Sequence, residues 1–242
     1  MAKILLGPMV GQASGSVGGV VFSRNRYGTY LRRRAHPTTS QSSWALDAKS
    51  ILGAVSREWG GLDEAERVAW ATWAANNPVT DKLGSKQVLA GNAAYMMING
   101  RINAGGLSSI SVPPVAYAPP ALDSVTLDAD IGSGDFDLTF AGTPLAAGHR
   151  LWIQAAVTGG NSQSYVKNKL RLIGISASAA TSPLTVVQLP SLVEDTLPIR
   201  LVARFGTLAV GQLITMYVSV VDLTTGLLST PMVTEALVTD TP

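Results

Sequence analysis

The spacing of apolar side chains changes character twice along this chain, and each change predicts a different kind of element. Near the N-terminus Val20, Phe22, Arg24 and Arg26 alternate with Val21, Ser23 and Asn25, which places the two sets on opposite faces of a strand, and Tyr27-Gly28 marks a turn. Residues 1–39 are therefore expected as a basic Gly/Arg-rich extended arm or hairpin. From Ser40 to Trp59 the interval becomes three and four: Trp44, Ala48, Ile51, Leu52, Val55 and Trp59 share one helical face, and Gly60-Gly61 stops it. A second helix opens at Asp63 with Glu66 three residues on, the spacing of a capping box. It carries Leu62, Ala65, Ala69 and Trp73 on one face with Val68 and Trp70 beside it, and Asn76-Asn77-Pro78 ends it. A third helix, from about Gly91 to Asn103, has Ala94, Tyr95, Ile98 and Ile102 at helical spacing. Residues 40–104 form a small helical module.

Pro113-Pro114 and Pro119-Pro120 make residues 105–121 a semi-rigid linker with polyproline tendency. Beyond it the period drops to two. Phe136, Leu138, Phe140 alternate, then Leu151, Ile153, Ala155, Val157, then Ile199, Leu201, Ala203, Phe205, then Ile214, Met216, Val218, Val220. Weaker runs occur at Val125-Leu127, Leu170-Ile175, Leu184-Val187 and Val233-Val238. Seven or eight short strands separated by Gly, Pro and Asp turns suit an antiparallel β-sandwich of immunoglobulin-like or fibronectin-type-III-like kind over residues 122–242, with Trp152 in its core. The expected fold class is α+β.

Composition sharpens this picture. Only 14% of the residues are charged, against about 25% in an average soluble domain, while 46% are hydrophobic. A neutral surface rich in Gly, Ser, Thr and Ala suits a subunit packed against neighbours, because charge is depleted from interface cores. The formal charge of +2 hides an asymmetry. Six of the 18 bases and none of the 16 acids lie in residues 1–40, so that segment carries +6 and the rest −4.

With no cysteine, disulfides, thiolate metal sites and thiol nucleophiles are excluded, and two histidines, His36 and His149, are too few for a multi-histidine metal site. No segment has the makeup of a signal peptide or a membrane span, so the expectation is a chain made in the cytoplasm, without a membrane partner. Asp123, Asp128, Asp130, Asp135 and Asp137 lie close in sequence, but their order is not that of an EF-hand, and acids in strand-flanking turns are ordinarily solvated. Gly15-Ser16-Val17-Gly18-Gly19 lacks the preceding strand and following Lys-Ser/Thr of a phosphate loop, and is a loose glycine run. No G-x-S-x-G context accompanies either histidine. The expectation is a non-enzyme without catalytic residues, metal or cofactor.

The remaining candidate chemistry is in the arm. Arg24, Arg26, Arg32, Arg33 and Arg34 are interleaved with Phe22, Tyr27 and Tyr30. Arginine and tyrosine are residue types enriched at protein interfaces, so this set fits acidic grooves of a partner protein. It also has the charge to bind phosphates and the rings to stack on bases, and a solvated basic surface is the third reading.

The run GQASGSVGGVVFSRNRYGTYLRRR, then Gln41, WGGLDEAERVAW, Trp73, Asn77-Pro78-Val79 and LAGNAAY resemble an N-terminal module of uncharacterised tailed-bacteriophage and prophage proteins. The similarity covers about residues 7–103. It departs in HPTTSQSS, where Asn-Pro-Asn-Thr is expected, and in Asp63-Glu64, where a Thr-rich helix start is usual. The resemblance implies a virion structural component. Its expected partners are other virion proteins (major capsid, portal, neck or tail subunits) and further copies of itself, and its expected role is capsid cement or decoration, with a neck or tail component as the alternative. A nucleic-acid-binding arm, or a carbohydrate-binding surface read by the sandwich loops, are the competing readings from other classes; against the latter, Trp152 and Tyr165 are the only large aromatics near those loops.

Overall fold

The computed structural model describes residues 2–3, 13–25, 28–35, 42–80, 85–115, 118–132, 136–142, 145–160, 166–188 and 194–240. The protein is α+β. It divides into two compact units, Met1–Ala45 and Leu46–Pro242.

The smaller unit is a four-stranded antiparallel sheet. Its strands are β1 (Ala2–Lys3), β2 (Gly15–Val17), β3 (Val20–Asn25) and β4 (Gly28–Arg33), in the order β1-β4-β3-β2. The described part of the N-terminal segment is thus paired as hairpins, the second of the two forms expected, and is not an extended arm. Gly18-Gly19 forms the two-residue connection between β2 and β3, with Val17 paired to Val20 and Gly18 at a φ of 56°. The glycine run is therefore a hairpin turn and not a loose tether. Tight two-residue hairpins need positive φ at the turn, which glycine adopts without steric cost.

The helical module consists of α1 (Ser43–Gly61), which belongs to the larger unit from Leu46 onward, α2 (Glu64–Asn76) and α3 (Gly91–Ala104). The capping box of α2 is present: Glu66 N–H donates to Asp63 Oδ1 at 2.7 Å and Asp63 N–H to Glu66 Oε2 at 3.1 Å. The buried face of α2 differs from the expected one. Trp70 and Ala74 are buried, Trp73 is half-buried, and Ala65 and Val68 face solvent. The helix carries large side chains on more than one face, and the partner helix selects among them: Trp70 packs edge-on against Tyr95 of α3, ring centroids 5.2 Å apart. Val55, Ile98 and Ile102 complete this core. A two-residue ladder, β5 (Val79–Thr80) with β6 (Lys86–Gln87), lies between α2 and α3.

The proline-rich segment is tied to the helices. Trp70 Nε1 donates to the Ser111 carbonyl at 2.6 Å and Trp73 Nε1 to the Pro114 carbonyl at 3.0 Å. Fully buried Asn99 exchanges two hydrogen bonds with the Ile110 backbone, at 2.7 and 3.2 Å.

The C-terminal part holds a hairpin of β7 (Val125–Ala129) and β8 (Phe136–Phe140), and a seven-stranded open antiparallel sheet. The sheet comprises β9 (His149–Thr158), β10 (Arg171–Ile175), β11 (Val186–Gln188), β12 (Glu194–Thr196), β13 (Leu213–Asp222), β14 (Leu227–Leu228) and β15 (Met232–Leu237). Its order is β12-β11-β10-β9-β13, with both β14 and β15 on the far side of β13. One core cluster joins sheet and hairpin, including Phe136, Leu138, Phe140, Leu151, Ile153, Ile214, Met216 and Val218.

Two expectations fail here. Residues 199–205 are not a strand: α4 (Leu197–Phe205) buries Leu197, Arg200 and Leu201. Its apolar residues Leu197, Leu201 and Phe205 fall four apart and Pro198 sits at the helix start, so the helical period overrides the alternation Ile199, Leu201, Ala203, Phe205. Ile199 is exposed as a result. Trp152 is half-buried rather than in the core, because Leu151, Ile153 and Ala155 claim the core face and period two sends Trp152 to the other.

The helical module meets the sheet at the β13–β14 turn. Gly226, at a φ of 67°, lies so close to Ile98 and Ile102 that an added Cβ would come within 2.8 Å of Ile98. Arg101 Nη1 donates to the Gly226 carbonyl at 3.1 Å, and burial lowers the Arg101 guanidinium pKa to about 10. Among the described residues no helix is long and apolar enough to cross a membrane.

Candidate functional site

The small N-terminal sheet concentrates the residues that the sequence singles out. Antiparallel pairing sets Phe22 opposite Leu31, Ser23 opposite Tyr30, Arg24 opposite Thr29, Val21 opposite Arg32 and Val20 opposite Arg33. Directly opposed residues share a face. Phe22, Arg24 and Arg33 therefore lie on one face, and Tyr30 and Arg32 on the other. Val17, Val20 and Leu31 join Phe22, making an apolar stripe with Arg24 and Arg33 at its margins. Sequence reasoning put Val20 on the face of Phe22, as the register shows, but missed Val17 and Leu31 beside them. The VGGV hairpin turn was the signal that could have placed the two valines opposite each other. Arg26 and Tyr27 lie outside the described residues. Arg34 follows β4, its N–H donating to the Gly19 carbonyl at 2.8 Å, with its side chain exposed.

None of the described side chains of this sheet is buried. Phe22, Tyr30 and Leu31 are half-buried, Val17 is 72% exposed and Val20 38%, and Arg24, Arg32, Arg33 and Arg34 face solvent. A small sheet needs an apolar face packed on something to be stable in water, and among the described residues this one has the apolar face but no buried side chain.

The body carries fewer groups of chemical interest. Asp128 and Asp137 stand opposite each other on β7 and β8, Asp135 lies outside the described residues, and no three acids or histidines converge among the described ones. His36 and Tyr165 also lie outside them. His149 begins β9 directly opposite Asp222 of β13, beside a cavity of about 270 Å³ bounded by Leu122, Asp123, Leu145 and Val220.

Burial alone would raise the Asp222 pKa. Hydrogen bonds from Thr224 N–H at 2.9 Å, Thr224 Oγ1 at 2.7 Å and Thr225 Oγ1 at 2.8 Å outweigh it, with His149 contributing, and hold the carboxyl below its ordinary value. A depressed folded-state pKa gives stability that is full above the unfolded value, about 4, and is lost as pH falls through the folded one. Asp222→Asn is expected to melt lower than the parent at pH 7 by about 2–4 °C. It is also expected to lose less stability than the parent on acidification from pH 5 to pH 2. Thermal melts across that range check this, and an identical acid dependence in both proteins would refute it.

Compared with family models, with curated proteins and with solved structures, the chain matches none.

Proposed function

We propose that this chain is a structural protein of a tailed-bacteriophage particle, of the capsid cement or decoration kind, which fastens to neighbouring virion subunits through its N-terminal sheet. The observation that carries the reading is that sheet itself: Val17, Val20, Phe22 and Leu31 form an apolar stripe with Arg24 and Arg33 at its margins, and nothing described in the unit is buried. Seating the stripe on a partner supplies the missing core, while the arginines meet carboxylates at the rim. A charge of +6 over residues 1–40 steers such an encounter towards acidic surfaces. The resemblance over residues 7–103 supports the same role.

Within this proposal the C-terminal strands are an immunoglobulin-like sandwich. An isolated parallel bridge between Asp130, just after β7, and Thr239, just after β15, supports it, as does the run of strands beyond β9 on one sheet. The helix α4 is the departure from that pattern.

Cryo-EM of particles carrying the protein tests the function. The expected map has the N-terminal sheet ordered in a groove between subunits, with Phe22 and Leu31 covered. Disorder of residues 1–41 in every copy would sink the docking role, and absence of the protein from purified particles would sink the assignment.

A further inference from the structure

The body of the protein is net acidic, at −4 over residues 41–242, yet four of its 12 bases gather in one place. Lys167, Lys169 and Arg171 occupy the turn before β10 and its first residue, and Arg204 comes from the last turn of α4. Neither residues 166–188 nor residues 197–212 contain an acid.

The two arginines are fixed in place. Arg171 Nη1 donates to the Arg204 carbonyl at 2.7 Å, capping the electronegative end of α4, and its guanidinium lies 5.2 Å from the centre of the Phe205 ring. Arg204 Nε donates to the Leu172 carbonyl at 3.0 Å. These bonds tie α4 to β10, and they also press two cations together: burial, and after it the charge of Arg171, lowers the Arg204 pKa to about 10. The adjoining turn brings Lys169 and Asn168 beside this staple. A concavity of about 350 Å³ opens there, lined by Asn168, Lys169 and Arg171 as polar groups and by Val157, Leu170 and Phe205 as an apolar wall.

We propose that this concavity is a binding site for a compact ligand bearing a phosphate-type oxyanion, such as a sugar phosphate. Arg171 spends one of its five N–H donors on the Arg204 carbonyl and has donors left for a tetrahedral oxyanion. Lys169 adds a second cation and Asn168 an amide at the same rim, while the apolar wall accepts the carbon skeleton. The volume is at the lower end of small-molecule sites. A nucleic-acid strand is the less suitable ligand: only two cations, Lys169 and Arg171, line the hollow, and Arg171 covers the Phe205 ring that a base would stack on.

Calorimetric titration of the full chain at low ionic strength tests the site, using glucose 6-phosphate, inorganic phosphate, glucose and a short single-stranded DNA as probes. Glucose 6-phosphate is expected to bind and glucose not to. Lys169→Glu is expected to weaken the phosphate ester at least tenfold, and Arg171→Ala to weaken it similarly. Because Arg171 also caps α4, thermal melts of both variants separate loss of the site from loss of fold. Equal binding of inorganic phosphate would support the site and make the free ion its ligand. No binding of any phosphate probe, binding unaltered by Lys169→Glu, or binding of DNA alone would overturn the proposal.

Discussion

Trp70→Ala is expected to lower the free energy of unfolding by about 3–5 kcal/mol, the range for removing a fully buried large aromatic side chain. Trp70 is fully buried, and the helical core is built around it: Tyr95 packs edge-on at 5.2 Å and Trp73 at 5.9 Å, and Trp59 in turn meets Tyr95 at 5.4 Å. Truncation removes the contacts of two ring neighbours and opens a cavity that three helices cannot collapse around without losing Val55, Ile98 and Ile102 as well. It also frees the Ser111 carbonyl from its indole donor. Trp70→Phe keeps most of the volume and loses only the hydrogen bond, so it is expected to cost about 1–2 kcal/mol, the bond being partly replaced by water at exposed Ser111. Urea unfolding followed by circular dichroism distinguishes the two, and an alanine variant within 1 kcal/mol of the parent would show that the helical core is not organised on this ring.

Deleting residues 1–41 is expected to abolish incorporation into particles while leaving the melting temperature of the remaining chain within about 2 °C of the parent, a change smaller than 1 kcal/mol produces at this size. Both hydrophobic cores are built from residues 51 onward, so the body does not depend on the N-terminal sheet for its interior. None of the described side chains of the sheet is buried, and on the proposed reading docking would supply its core. Paired substitution of Phe22 and Leu31 by Ser should reproduce the loss, because the two face each other in the centre of the apolar stripe. Co-sedimentation with particles measures it. Wild-type occupancy by the deleted protein would transfer the attachment role to the body.

How far these features could be read in advance depends on whether local spacing or a distant partner decides them. The capping box of Asp63 and Glu66 is a contact across one helical turn, and it is present where the spacing put it. The helices α1 to α3 and the strands β7 to β10, β13 and β15 likewise follow their periodicities. Residues 197–205 satisfied two periods at once, and Pro198 with Arg200 and Arg204 at helical intervals was the discriminating signal. Trp152 was misplaced by size: a large aromatic in a strand draws the eye to the core, but alternation had already given that face to Leu151 and Ile153. Which face of α2 is buried could not be read locally, because Val68, Trp70 and Trp73 offer competing choices and Tyr95 of α3 settles them. At the candidate docking surface the residue types were legible, whereas the division of Phe22 and Tyr30 between opposite faces required the register of β3 against β4. The cationic hollow joins residues 33 apart through Arg171 and the Arg204 carbonyl, and no local pattern announces such a contact.

The two indole-to-carbonyl bonds at Ser111 and Pro114 have a mechanical consequence. A free proline-rich tether would behave as a spring with slack, letting strain on the C-terminal strands dissipate before it reached the helices. Here the tether is pinned along the helices by Trp70, Trp73 and Asn99, and Gly226 seats the β13–β14 turn against α3. A load applied to the strands would therefore meet these contacts before any slack in the tether.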